Sequence, residues 1–154
     1  MDKMRYAHCV NLLNMVCGTM TASTMFSTTD TKKMVDLLLA VDPDAHFPTV
    51  AYSMALSSRG EASSAKSWLL GQMDKLRERE IKPSAFLEME MARVFRENGD
   101  YNDSKNICDA LVERFQTDET LNEHHAIVEM MALAYLDDFS KGKMDGGYIS
   151  SGVI

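Results

Sequence analysis

The chain lacks the features that mark several functional classes. Its 154 residues contain three cysteines, Cys9, Cys17 and Cys108, an odd number with no CxxC spacing. They describe neither a disulfide framework nor a zinc site. Each sits among apolar residues at helical spacing, so reduced, buried thiols are expected. There is no Gly-rich phosphate loop, no HExxH and no GxSxG. No apolar run approaches the ~20 residues a membrane span needs, so membrane insertion is not expected. The stretch from Cys9 to Cys17 comes nearest to a signal sequence, but Asn11 and Asn14 interrupt it and no clear cleavage site follows. A cytoplasmic location is the expectation. Basic residues are also in short supply, 16 against 23 acidic, and the resulting formal charge of −7 repels phosphate backbones and anionic lipids. Nucleic-acid binding is therefore not expected.

Proline and tryptophan are scarce, three and one, whereas methionine is abundant at 13. A flexible thioether fills irregular gaps in a core or lets a surface mould itself to a partner, and both uses are expected here. Charged residues make up 25% and hydrophobic ones 45%, ordinary values for a globular domain. The length suits one domain with a sizeable core.

The pattern is clearest from Ala85 to Phe115. Met91, Ala92 and Phe95 share one helix face, Asn98-Gly99-Asp100 makes a turn, and Tyr101, Ser104, Cys108 and Leu111 line a second helix. This reads as an antiparallel helical hairpin. It recurs: 39 residues earlier stand Tyr52-Ser53, Leu56, Gly60, Ala62, Ala65 and Leu69, and 40 residues later Met131-Ala132 and Tyr135. A small residue beside a large one lets two helices approach closely. Gly60 and Gly99 end the first helices because glycine reaches the left-handed region without steric cost. A hairpin cannot bury its apolar surface alone, so copies stack.

The rest of the chain is read around that repeat. Met4, Ala7, Val10, Leu13 and Val16 step by threes and predict a helix ending at Gly18. Thr19 to Thr29 reads as a loop or frayed turn, and Asp30 as the cap of a helix carrying Met34, Val35, Leu38 and Val41, stopped by Asp42-Pro43-Asp44. A helix then begins near Pro48, and another runs from Glu61 to about Glu80 with Ala65, Trp68, Leu69, Met73 and Leu76 on one side. Lys82-Pro83-Ser84 is a break and cap, Asp100 an N-cap, and Thr120 to Glu123 a capping box that opens a last helix from about Leu121 to Phe139. Ser140 to Ile154 is glycine-rich and is either a disordered terminus or an extended segment docked in a groove. The fold class expected is all-α, stacked antiparallel hairpins of about seven helices. One helical-repeat domain spans 1–139, divided into a degenerate hairpin 1–45, repeats 46–83 and 84–119, and a final helix 120–139, followed by the tail 140–154.

The order large-small, large, glycine turn, aromatic, small, large resembles the tetratricopeptide repeat over residues 46 to 139. The period of 39 to 40 exceeds that family's 34, and the aromatic usual early in the first helix is replaced by Thr49 or Glu88. The resemblance implies a concave protein-binding groove lined by the first helix of each pair. Its positions here are Phe47, Val50 and Met54, then Met89, Arg93 and Arg96, then Leu133 and Leu136. Such a lining would take a partner's amphipathic helix with a carboxylate beside its apolar face. Size, acidity and the Met-rich lining are also similar to chaperones of type III secretion, which implies a chaperone or adaptor covering an exported subunit. A self-associating scaffold, with the groove as a homodimer interface, is the alternative.

No enzymatic activity, metal or cofactor is expected. Among His8, His46, His124 and His125, only His125 has a co-ligand at helical spacing, Glu129, and two ligands make a weak site. Cys9 follows His8 directly, but neighbours along a helix diverge, so they imply no catalytic pair.

Overall fold

Ser27, not Asp30, caps the helix that runs Thr28–Val41. The structure, a computed structural model, describes residues 3, 4, 11, 15, 27–117 and 123–143, all of them in helices or the turns and short connections between helices. Residues 3, 4, 11 and 15 are helical, and Met4, expected on an apolar stripe, is exposed. The rest of that stripe, Cys9 and Cys17, Thr120 of the capping box and the tail beyond Lys143 lie outside the described residues. The chain divides into two compact units, 1–81 and 82–154, separated at the Lys82-Pro83-Ser84 break.

The first unit holds α1 (Thr28–Val41), α2 (His46–Ser58) and α3 (Ala62–Glu78), with α2 packed on both others. Ser27 is extended and its Oγ accepts the Asp30 N–H at 3.1 Å, while Asp30 sits in the first turn where its charge suits the helix dipole. Thr28 and Thr29, at the end of the stretch expected to be a loop or frayed turn, are thus already helical. Asp42-Pro43-Asp44 ends α1 as its residues dictate, since proline lacks the N–H that continues a helix. Val35, Leu38 and Ala51 form the core with Trp68 and Tyr52 against them. The Trp68 indole N–H donates to the Thr49 carbonyl at 2.9 Å, and its ring meets Tyr52 edge-on at 4.9 Å.

The second unit holds α4 (Ala85–Glu97), α5 (Tyr101–Thr117) and α6 (Glu123–Ser140); α5 packs on α4 and α6, and α6 also touches α4. Ser84 caps α4, its Oγ accepting the Leu87 N–H at 3.2 Å. Ala85, Met89, Ala92, Cys108, Leu111, Phe115, Val128 and Ala132 make one continuous core across the three helices. Burying each large apolar side chain there contributes about 1.5–3 kcal/mol. The small-residue slot holds: Ser104 and Ala65 are both wholly buried. Ser104 also donates its hydroxyl to the Ala92 carbonyl at 2.7 Å, which lets the hairpin close tightly without an unsatisfied polar group.

One kind of helix stop recurs. At Gly60, Gly99 and Gly142 the backbone turns left-handed (φ +79°, +80° and +72°), and the next residue's N–H reaches back five positions to a carbonyl: Glu61 to Leu56, Asp100 to Phe95, Lys143 to Asp138. Glu80, at φ +56°, makes the same stop for α3 without glycine, with Ile81 N–H on the Leu76 carbonyl. The observed architecture is all-helical among the described residues, built of adjacent packed helices: six with described bounds, and helical residues 3, 4, 11 and 15 before them, where a further helix is expected.

Candidate protein-binding face

The eight residues expected to line a groove fall into both units. In the first, Phe47 is exposed in the opening turn of α2, Val50 is buried and Met54 is half-buried. In the second, Met89 belongs to the core, Leu136 packs against that core, and Leu133 is exposed.

Arg93 and Arg96 are only 2% and 3% exposed. Arg93 lies between two carboxylates of its own helix. Its Nε and Nη2 donate to the two oxygens of Glu90 at 2.8 and 2.5 Å, and its Nη1 is 2.8 Å from Glu97 Oε1. The residues Glu90, Arg93 and Glu97 follow i−3 and i+4 spacing, so α4 itself brings them together. Burial works against the charged guanidinium, but the Glu90 hydrogen bonds and the attraction of Glu90 and Glu97 outweigh it and raise the Arg93 pKa. Arg96 reaches α6 instead. Its Nη2 donates to Asp138 Oδ2 at 3.1 Å and to the Lys143 carbonyl at 2.9 Å, and its guanidinium lies 4.6 Å from the centre of the Tyr135 ring and 5.1 Å from that of Phe139. Desolvation pushes the Tyr135 phenol up to about 12. Arg96 thus ties α4 to α6, Arg93 is neutralised within α4, and neither presents its charge at the surface for a partner's carboxylate.

The apolar surface lies on the outer side of α6. Ile127, Met130 and Leu133 are 51%, 70% and 48% exposed, and the exposed Ala126 and Ala134 fill the gaps between them. At ~100° per residue these five positions share about 120° of the helix. The stripe ends at the Asp137–Lys141 ion pair, 2.6 Å. The inner side, Val128, Ala132 and Phe139, is buried. Most telling is the repeat register. Forty residues before Ile127, Met130, Leu133 and Ala134 stand Leu87, Glu90, Arg93 and Val94, which are 0–6% exposed. The same positions are covered in α4 and open in α6. Only Leu133 of this face was expected from the sequence. Ile127 and Met130 carried a signal nonetheless, because 126–136 is apolar at more positions than one buried stripe requires.

Other features carry less chemistry. A cleft of about 570 Å³ in the first unit is lined by Lys32, Asp36, His46, Trp68, Lys75 and Arg79 among others. Lys32 is paired with Asp36 and Arg79 with Asp44, so its charges are largely met internally. Cys108 is fully buried, and burial pushes its thiol up to about 12, the opposite of what a nucleophile needs. The His125 ring lies 5.4 Å from that of Phe115, and among the described residues no three His, Cys, Asp or Glu side chains group to hold a metal. No described helix is long and apolar enough to cross a membrane. No protein family, no curated protein and no solved structure matches this chain.

Proposed function

We propose that this protein is a protein-binding helical module whose outer α6 face, Ile127, Met130, Leu133 and Ala134, covers an apolar helix of a partner. The observation that carries the reading is the exposure of these side chains at repeat positions that are buried in α4. A helix apolar on all sides is stable in water only when both sides are covered. The inner side of α6 meets α4 and α5, which leaves the outer one for something else. Ile127, Met130, Leu133 and Ala134, at i, i+3, i+6 and i+7, form one stripe of about two turns, the pattern by which amphipathic helices pack on one another. A chaperone or adaptor, the kind of protein the tetratricopeptide-like pattern and the likeness to secretion chaperones suggest, works by covering such a helix until it is released.

The test places a photo-crosslinking residue at position 130 and, as a control, at exposed Asn102 on α5, in the cells that make the protein. Capture from position 130 of one segment with an amphipathic helical pattern is expected. Binding of that segment as a purified peptide should then fall about tenfold when Met130 becomes serine, the scale of one lost apolar anchor. Equal capture at 102 and 130, or capture at 130 of this chain alone, overturns the reading; the second outcome would make it a self-associating scaffold.

A further inference from the structure

We infer that the helix received by the α6 face is basic: an amphipathic segment with an apolar stripe flanked by lysine or arginine. This rests on the reading of that face given above. The charge of the chain is unevenly placed. Residues 1–81 carry nine basic and nine acidic side chains, whereas residues 82–154, the unit that presents α6, carry 7 and 14. The full formal charge of −7 therefore belongs to the second unit.

Pairing within that unit leaves most of this excess in place, because each paired cation takes a carboxylate with it. Two of its seven cations, Arg93 and Arg96, are buried against Glu90, Glu97 and Asp138. Lys105 and Lys141 are each held by a carboxylate one turn away, at 2.6 Å in both cases. Arg114 is held by Glu88, also at 2.6 Å. The uncharged face thus belongs to the unit that carries the acidic excess. An apolar stripe in an acidic field selects a helix with the same stripe and the opposite charge, because the field raises the encounter rate and penalises acidic competitors. It also disfavours a second copy of this chain, which brings the same −7 to the contact.

The probe is a pair of 18-residue peptides with leucines at helical spacing, one carrying lysines beside the stripe and its twin glutamates, titrated into the full chain. The lysine peptide should bind about tenfold more tightly than its twin at roughly 50 mM salt, the difference shrinking several-fold near 500 mM as screening shortens. Replacing Met130 and Leu133 together by serine, which leaves charge unchanged, should weaken the lysine peptide about tenfold with helix content preserved by circular dichroism. If the serines change nothing, attraction is diffuse and the inference fails. If both peptides bind alike and both lose binding with the serines, the face stands but its preference for basic helices does not. If neither binds, both fall. A gain of about tenfold on deleting residues 144–154 would assign the face to that segment and overturn the inference.

Discussion

Arg93 brings a full positive charge to a position 2% exposed, and the fold tolerates it because Glu90 and Glu97 are supplied by the same helix. The cost of desolvating three charges is offset only while all three are present. Arg93→Met keeps the volume and removes the counter-charge, leaving two carboxylates, 6% and 14% exposed, without it. It should cost about 3–5 kcal/mol, read as a lower urea midpoint. Arg93→Met combined with Glu90→Gln and Glu97→Gln should recover most of the loss. If the single variant is as stable as the parent, the buried network contributes no net stability. Arg93→Lys should fall between, since an ammonium cannot make the two-pronged contact with Glu90.

At the scale of the element, the helix stops isolate one backbone effect. Glu80 adopts φ +56°, a conformation that costs an L-residue about 1–2 kcal/mol, where Gly60, Gly99 and Gly142 make the same stop freely. Glu80 is exposed and makes no ion pair among the described residues. Glu80→Gly should therefore stabilise the protein by about 1 kcal/mol after the added freedom of the unfolded chain is subtracted. Gly60→Ala should lose a comparable amount. Nothing lies within 4 Å of where that Cβ would stand, so the loss measures backbone strain and not a clash. A stabilising Gly60→Ala would refute the account of both positions. The stops at Gly60, Gly99 and Pro43, Ser84 as a cap and the small slots at Ala65 and Ser104 were legible in the sequence because each acts through local geometry; the stop at Gly142 was not, being one glycine of a glycine-rich tail. The cap at Ser27 was misassigned to Asp30, as both residue types cap helices and only the backbone distinguishes them. The fate of the arginines was harder to read. Glu90 and Glu97 sit at ion-pairing distance along α4, but that spacing serves a solvated pair equally well, and Asp138 lies 42 residues from Arg96. The outer face of α6 was partly legible as excess hydrophobicity over 126–136, yet which side of that stretch is covered depends on α4 and α5, not on α6 alone.

For the whole molecule, the charge of −7 and the open α6 face act against each other. At pH 7 two copies that approach through the second unit meet a like charge, which keeps an exposed apolar stripe from self-pairing. The sequence pI is about 5.0, so that repulsion disappears on acidification while Ile127, Met130 and Leu133 stay exposed. Sedimentation equilibrium at low salt should therefore find a monomer near pH 7.5 and growing self-association as the pH falls toward 5. Replacing Met130 and Leu133 by serine alters no titrating group, so it leaves the charge curve in place and should suppress the association at every pH. If the serine variant associates as the parent does, the contact forms elsewhere and the stripe is not the adhesive surface. If the parent is already a dimer at pH 7.5 and the serines dissociate it, apolar contact outweighs the charge, and a second copy becomes the natural occupant of α6. Added salt separates the two terms independently, since screening weakens repulsion over ~10 Å at about 0.1 M and leaves apolar contact intact. At neutral pH, salt should therefore mimic acidification in the parent and do nothing in the serine variant.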